Sequence, residues 1–189
     1  MIRPARMSDA SSLAALSIEV WLGTYIKRGV TAFFADYVLG HFTPENLAVW
    51  IADGNERMFV SENTEGIDGY IRITTGVGAP VTGCSDTELT TLYVQPRHHG
   101  EGIGRGLLTH ARKDCAHRSV PSLWLAVNAE NAAALAFYRR LGATRVGQTH
   151  FQIQDQAYLN DVLSLPTQDH PMDPAGTAAP TAAPTSDTT

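Results

Sequence analysis

The chain has 189 residues, 43% hydrophobic and 17% charged, which suits one globular domain followed by a tail. A formal net charge of −5 argues against a nucleic-acid binder, whose affinity would rest on clustered Lys and Arg. Lacking a signal-peptide pattern and any run of about 18 apolar residues, it reads as a cytoplasmic protein that does not enter a membrane.

Residues 1–4 are long enough for an edge strand at most. Ser8 or Asp9 is positioned to cap a helix whose apolar face takes Leu13, Leu16, Val20 and Trp21. Tyr25 shares the Trp21 face if that helix continues past Gly23. From Thr24 to Gly40 the aromatics Tyr25, Phe33, Phe34 and Tyr37 occur with few regular signals. Thr43, Pro44 and Glu45 then supply an N-cap, a first-turn proline and a first-turn acid for a helix running to about Gly54. Met58–Glu62 and Ile67–Thr74 read as a hairpin turning at 63–66. A loop rich in glycine and proline follows, from Gly76 to Ser85.

Glu88–Val94 is a strand, and period two puts Glu88 on one face with Thr90, Leu92 and Val94. Pro96 ends it. Gly100, Gly102, Gly104 and Gly106 lead into a helix with Ile103, Leu107, Ala111 and Cys115 on its buried stripe. Cys115 is therefore a core residue, and neither it nor Cys84 has the spacing of a redox or metal pair. Ser122–Val127 is a buried strand. Asn128–Asn131 turns into a helix carrying Ala134, Leu135, Tyr138 and Leu141, which ends at Gly142. Thr144–Gln148 and Tyr158–Leu165 form a last strand pair. Residues 166–189 are rich in Pro, Ala and Thr with almost no large apolar side chain, so they cannot bury a core and are expected to be disordered. The order of elements is that of an α/β sandwich with a mixed sheet in one domain, 1–165, and not of a simple alternating doubly wound fold.

Alternate glycines over a helix N-terminus make an anion site, because unpaired N–H groups and the positive end of the dipole point outward. A Walker A loop does not fit, since no Gly-Lys-Ser/Thr occurs here. A dinucleotide fingerprint fails as well, on glycine spacing and on the missing acid in the next strand.

What the stretch resembles is the acyl-CoA loop of the GNAT superfamily of N-acetyltransferases. The strand Leu92-Tyr93-Val94 and Pro96 precede His99-Gly100-Glu101-Gly102-Ile103-Gly104, against a family pattern Gln/Arg-x-x-Gly-x-Gly/Ala. His99 stands where Gln or Arg is usual. A second segment, LWLAVNAENAAALAFYRRLGA from Leu123 to Ala143, matches the family's later strand, polar turn and Phe-Tyr-x-x-x-Gly helix end. The likeness spans about residues 1–165. It implies a mixed, mostly antiparallel sheet flanked by helices, with splayed central strands.

The resemblance also implies a function: transfer of an acetyl group from acetyl-CoA to a primary amine by direct attack. Leu92, Val94, His99, Gly100, Gly102, Ile103, Gly104, Arg105 and Asn131 are the implied cofactor-binding residues, although Asn131 fits a plain N-cap equally well. Tyr138 holds the family's general-acid position, and Glu88 is the candidate base. An amine of pKa about 10.4 is roughly 0.04% neutral at pH 7, which costs about 4.6 kcal/mol unless a base helps. The runs around Trp21 and near the end of the domain resemble a branch acting on small amines and polyamines. Trp21 and Tyr25 are accordingly candidates for the acceptor pocket, with core packing the alternative. His98 and His99 adjoin on a turn and do not read as metal ligands. The same resemblance leaves room for a homodimer, and a non-catalytic acyl-CoA-binding module would share the phosphate loop.

Overall fold

The computed structural model describes residues 1–26, 28–153 and 155–168. In chain order the elements are β1 (Ile2–Pro4), α1 (Ala10–Tyr25), α2 (Ala32–His41), α3 (Pro44–Ala52), β2 (Glu56–Glu62), β3 (Ile67–Thr75), β4 (Thr87–Val94), α4 (Ile103–His117), β5 (Ser122–Asn128), α5 (Ala132–Arg140), β6 (Thr144–Ile153) and β7 (Gln156–Pro166). The strands form one open sheet in the order β1-β2-β3-β4-β5-β7-β6. Each neighbouring pair is antiparallel except β4 with β5. That parallel pair is in register only at Glu88 and Trp124, so the two central strands splay apart beyond it. This is the mixed, mostly antiparallel sheet with splayed central strands that the sequence implies.

Two apolar layers cover the sheet. The stripe Leu107, Leu108, Ala111 and Cys115 of α4, with Leu135 and Tyr138 of α5, packs on Ile71, Ile73, Leu89, Leu123, Leu125 and Leu163. On the other face Leu13, Leu16 and Val20 of α1 and Leu47 of α3 pack on Met58, Val60 and Tyr70. The Thr43 hydroxyl accepts from Asn46 N at 3.2 Å, which makes it the N-cap of α3. Among the described residues no helix is long and apolar enough to cross a membrane.

Helix α2 lies in the stretch that gave few signals. Its apolar residues Phe33, Phe34, Tyr37 and Val38 share one face at i, i+1, i+4 and i+5, but the stripe is only about two turns long, and its N-cap Thr31 makes no side-chain cap bond. Tertiary contact holds it as well: the Trp21 ring of α1 packs at a tilt against Phe34 and Tyr37, at centroid distances of 5.6 and 5.2 Å. At the other end of the chain β7 continues through Pro166, and Thr167 is buried, donating its hydroxyl to the Val120 and Pro121 carbonyls. The rest of the expected tail, from Asp169 on, lies outside the described residues.

The start of α1 departs from the expected cap. Asp9 ends a short 3-10 turn, Met7–Asp9, and caps no N–H of α1; its carboxylate accepts from Arg6 N at 2.7 Å and from the Arg3 guanidinium at 2.7 and 3.1 Å. Arg3 also pairs with Glu62 at 2.7 Å, clamping β1, the turn and β2 together. Arg3 holds the Asp9 carboxyl below the usual aspartate range. Its contribution is therefore complete above the ordinary Asp pKa and is lost as pH falls through the lowered folded value. Arg3→Ala strands a nearly buried carboxylate and is expected to cost about 3–5 kcal/mol in urea unfolding at pH 7, less in strong acid.

Candidate active site

The gap between β4 and β5 is where backbone groups come free. Gln95 N donates to Asp68 O at 2.9 Å, so Gln95 and Asp68 are a hydrogen-bonded pair of the β3–β4 ladder. Such pairs alternate along antiparallel strands. Val94, opposite Gly69, and Leu92, opposite Ile71, are then the intervening pairs, and their N–H and C=O groups point away from β3 toward β5. No β5 partner is in register with either. The sequence therefore folds into a strand whose Leu92 and Val94 main-chain groups face the gap without a β5 partner in register.

At the end of β4 the chain makes a short turn, Pro96–His98, and enters the glycine loop. The Nε2 of His99 lies 2.9 Å from Val94 O, so the ring folds back onto the strand end as a donor to that carbonyl. Gly100 and Gly102 have φ of +90° and +85°, a left-handed backbone that a side chain would strain. Gly102 is the N-cap of α4, and the first bond of the helix runs from Gly106 N to Gly102 O at 2.9 Å. The N–H groups of Ile103, Gly104 and Arg105 consequently have no partner within the helix and are presented at its positive end. A Cβ on Gly69 would meet Tyr93 O at 2.9 Å and Ile103 at 3.2 Å, so only glycine lets β3 pass this close to the first turn of α4. These features make a cradle for a phosphate-bearing ligand. Arg105 is exposed on that turn and has no ion pair among the described residues, whereas Arg97 is tied to Glu19 of α1 at 2.8 Å.

α5 closes the same side. Its N-cap is Asn131, whose Oδ1 accepts from Ala134 N at 3.1 Å, the bond expected of a plain cap. A Cβ on Gly104 would lie 3.6 Å from the Phe137 ring, so the first turn of α4 runs close against α5. Tyr138 is buried in the same layer with its ring 5.1 Å from that of Phe137. Burial pushes its phenol well above the ordinary range, so it stays protonated. Its hydroxyl has no hydrogen bond among the described residues.

Glu88 is on the other face. The β3–β4 register slips between Arg72 and Ile73, so that Thr91 pairs with Arg72 and Leu89 with Ile73, and Thr90 is a bulge. The extra residue reverses the alternation: Leu89 joins Leu92 and Val94 toward α4, and Glu88 faces away from them beside Thr74 and Arg72. The period-two reading that grouped Glu88 with Leu92 and Val94 is corrected by this bulge. Glu88 instead lines a cleft of about 300 Å³ together with Pro80, Trp124, Thr149, Phe151 and Asn160. Sequence reasoning did not find these partners, which come from the β3–β4 loop, β5, β6 and β7 and share no local pattern. Arg72 is held by Glu56 through Nε at 2.9 Å and lies 4.0 Å over the Trp50 ring.

Burial pushes the Glu88 carboxyl above the usual glutamate range, against the opposing pull of Arg72 and of a hydrogen bond from Thr90. A raised folded pKa means that the native state binds the proton more tightly than the unfolded chain. Ionisation of Glu88 thus lowers stability as pH rises through the carboxylate range. Glu88→Gln is expected to raise Tm at pH 7 and to lose that advantage near pH 4, which paired melting curves would read.

Trp21 is 3% exposed and packed beside Phe34 and Tyr37, the core packing that stood as the alternative to an acceptor contact. The side chain of Tyr25 lies outside the described residues.

A family model described as "Acetyltransferase (GNAT) family" matches residues 27–143. An uncharacterized N-acetyltransferase of Mycobacterium tuberculosis (strain H37Rv) is 24% identical over 147 residues, covering 78% of this chain and 90% of the relative. The [ribosomal protein bS18]-alanine N-acetyltransferase of Escherichia coli K12 is 42% identical over 57 residues, 30% of this chain and 38% of that one. Among solved structures, the PaiA N-acetyltransferase of Thermoplasma acidophilum in complex with coenzyme A superimposes with a TM-score of 0.67 at 18% identity, over 88% of this chain and 98% of the other.

Proposed function

We propose, from the premise that this chain belongs to the acetyltransferase (GNAT) family, that it acetylates a small primary amine by direct attack on the thioester, with the two substrates meeting at the gap between β4 and β5. It is an acyl-CoA-dependent N-acetyltransferase, and acetyl-CoA is its cosubstrate. The observation that carries the acceptor reading is the bulge at Thr90. Because of it, the glycine loop and Tyr138 lie to one side of β4 and the Glu88 carboxyl to the other, with the Leu92 and Val94 main-chain groups facing the gap between them.

Each role follows from that arrangement. The N–H groups at the start of α4 bind the diphosphate, with Arg105, which has no ion pair among the described residues, beside them. His99 donates to Val94 O and so pins the loop to the end of β4. Glu88, in the cleft, takes the proton of the incoming ammonium directly or through one water, and its raised pKa makes it a stronger base than an exposed glutamate. The outward-pointing N–H groups of Leu92 and Val94 are donors for the oxyanion that forms as nitrogen attacks the carbonyl carbon. When the C–S bond breaks, Tyr138 gives its phenolic proton to the departing thiolate, and the second proton lost by the nitrogen returns through solvent to the phenolate. The apolar surroundings of Tyr138 keep the phenolic proton in place until the C–S bond breaks. Asn131 caps α5 and leaves its amide nitrogen for the ligand. The two free cysteines suit a reducing cytoplasm.

Thermal unfolding with acetyl-CoA, CoA, ATP and NAD, followed by a thiol-release assay over a set of primary amines, tests the reading. At about 100 times Kd a bound ligand adds about 2.7 kcal/mol, a rise of roughly 5–11 °C in Tm. The expected rise is confined to the two CoA species, and thiol release should depend on added amine. Thiol release that no amine accelerates would contradict it.

A further inference from the structure

The connection between β3 and β4, residues 76–86, exposes Gly78, Pro80, Thr82 and Gly83 but is tied down at several points. It is fastened across the face of the sheet that carries Glu88. Val77 N donates to Asp86 O at 2.8 Å, closing the base of the segment. Val77 O accepts from the indole Nε1 of Trp124 on β5 at 3.0 Å, and the Ser85 hydroxyl donates to Ser122 O at the start of β5. Farther along, Val81 reaches β6, where the strand slips register between Arg145 and Gly147. There Val81 fills the space of a missing side chain: a Cβ on Gly147 would sit 2.6 Å from Val81 Cγ1. Between these two anchors Gly78 and Pro80 form a wall of the cleft, opposite Glu88 and Phe151.

The segment, anchored at β5 and at β6, lies over the sheet beside the cleft and takes up surface along which a longer substrate could extend. What is left is about 300 Å³, at the bottom of the range for small-molecule pockets. The lining suits an amine-bearing head group: one carboxyl, the aromatic faces of Trp124 and Phe151, and the polar ends of Thr149 and Asn160. We propose that residues 76–86 are an acceptor-selecting strap, which restricts this transferase to small free amines and excludes the amino-termini of proteins. The inference rests on the transferase reading above, in that the cleft must be the acceptor site.

The test uses the full chain, acetyl-CoA, a series of primary amines of rising size and a peptide with a free amino-terminus. Wild type should turn over the small amines and leave the peptide unacetylated. Gly147→Ala drives its new methyl into Val81 and should shift the KM for the preferred amine by about three- to tenfold, the range that loss of one anchoring contact produces. The KM for acetyl-CoA should stay within about twofold. Adding Val81→Ala to Gly147→Ala removes the colliding Cγ1 and should restore the amine KM, which separates strap displacement from general damage to β6. Efficient acetylation of the peptide by wild type would overturn the proposal, as would an amine KM that Gly147→Ala does not move. Failure of the transferase reading itself would look different, with no amine accelerating thiol release in any variant.

Discussion

Tyr138→Phe is expected to lower kcat by about 10²-fold or more while leaving the Kd for acetyl-CoA unchanged, because general acid catalysis typically contributes 10²- to 10⁴-fold. The change removes one oxygen and keeps the ring that packs beside Phe137. Since the residue is buried and its hydroxyl forms no hydrogen bond among the described residues, loss of that oxygen should leave Tm nearly unchanged. A drop in rate therefore reports on chemistry and not on folding. The deficit should also shrink with an acyl donor whose thiol has a low pKa, as such a thiolate leaves without needing a proton. Unchanged turnover with acetyl-CoA would make Tyr138 a packing residue only.

Glu88→Gln should reduce kcat/KM for the amine by about 10²-fold at pH 7, with the loss largest at low pH and narrowing as pH rises. The reason is the acceptor's own titration: at pH 7 an amine of pKa about 10.4 is almost wholly protonated, and each pH unit upward supplies tenfold more free base. Wild type should show a limb on the acid side that reports ionisation of the base. Burial of Glu88 moves that limb above the ordinary glutamate range, and Gln should abolish it. Together with the expected gain in Tm at neutral pH, the variant would trade activity for stability, as expected of a carboxylate held in a costly environment for function. A parallel pH profile for the two proteins would exclude Glu88 as the base.

The phosphate-loop half of this site was legible in the sequence because its determinants are local. Gly102 at +85°, the helix N-cap and the buried stripe of α4 all follow from residues within a few positions of one another. Splaying of β4 from β5 was legible only through the family resemblance, since strand pairing is a non-local property. The acceptor half was not legible. Period two holds for a regular strand, and one extra residue at Thr90 reversed the face of Glu88, a change that leaves no compositional mark. Trp21 could be read two ways for a related reason: an aromatic at helical spacing looks the same whether it meets a ligand or, as here, Phe34 and Tyr37 of a helix that pattern reading did not detect. The strap at 76–86 looked like an ordinary loop because its anchors, Trp124 and Gly147, are far off in the chain.

The measurement closest to the central claim uses a bisubstrate compound in which a small primary amine is joined to the sulfur of CoA through an acetyl spacer. If the glycine loop and the Glu88 cleft open on one continuous path through the β4–β5 gap, the compound fills both and should bind at least about 10²-fold more tightly than CoA. Gly147→Ala should erode that advantage without changing the affinity for CoA. Binding no tighter than CoA would mean that the amine does not reach the cleft from the thioester, and would contradict the two-sided site.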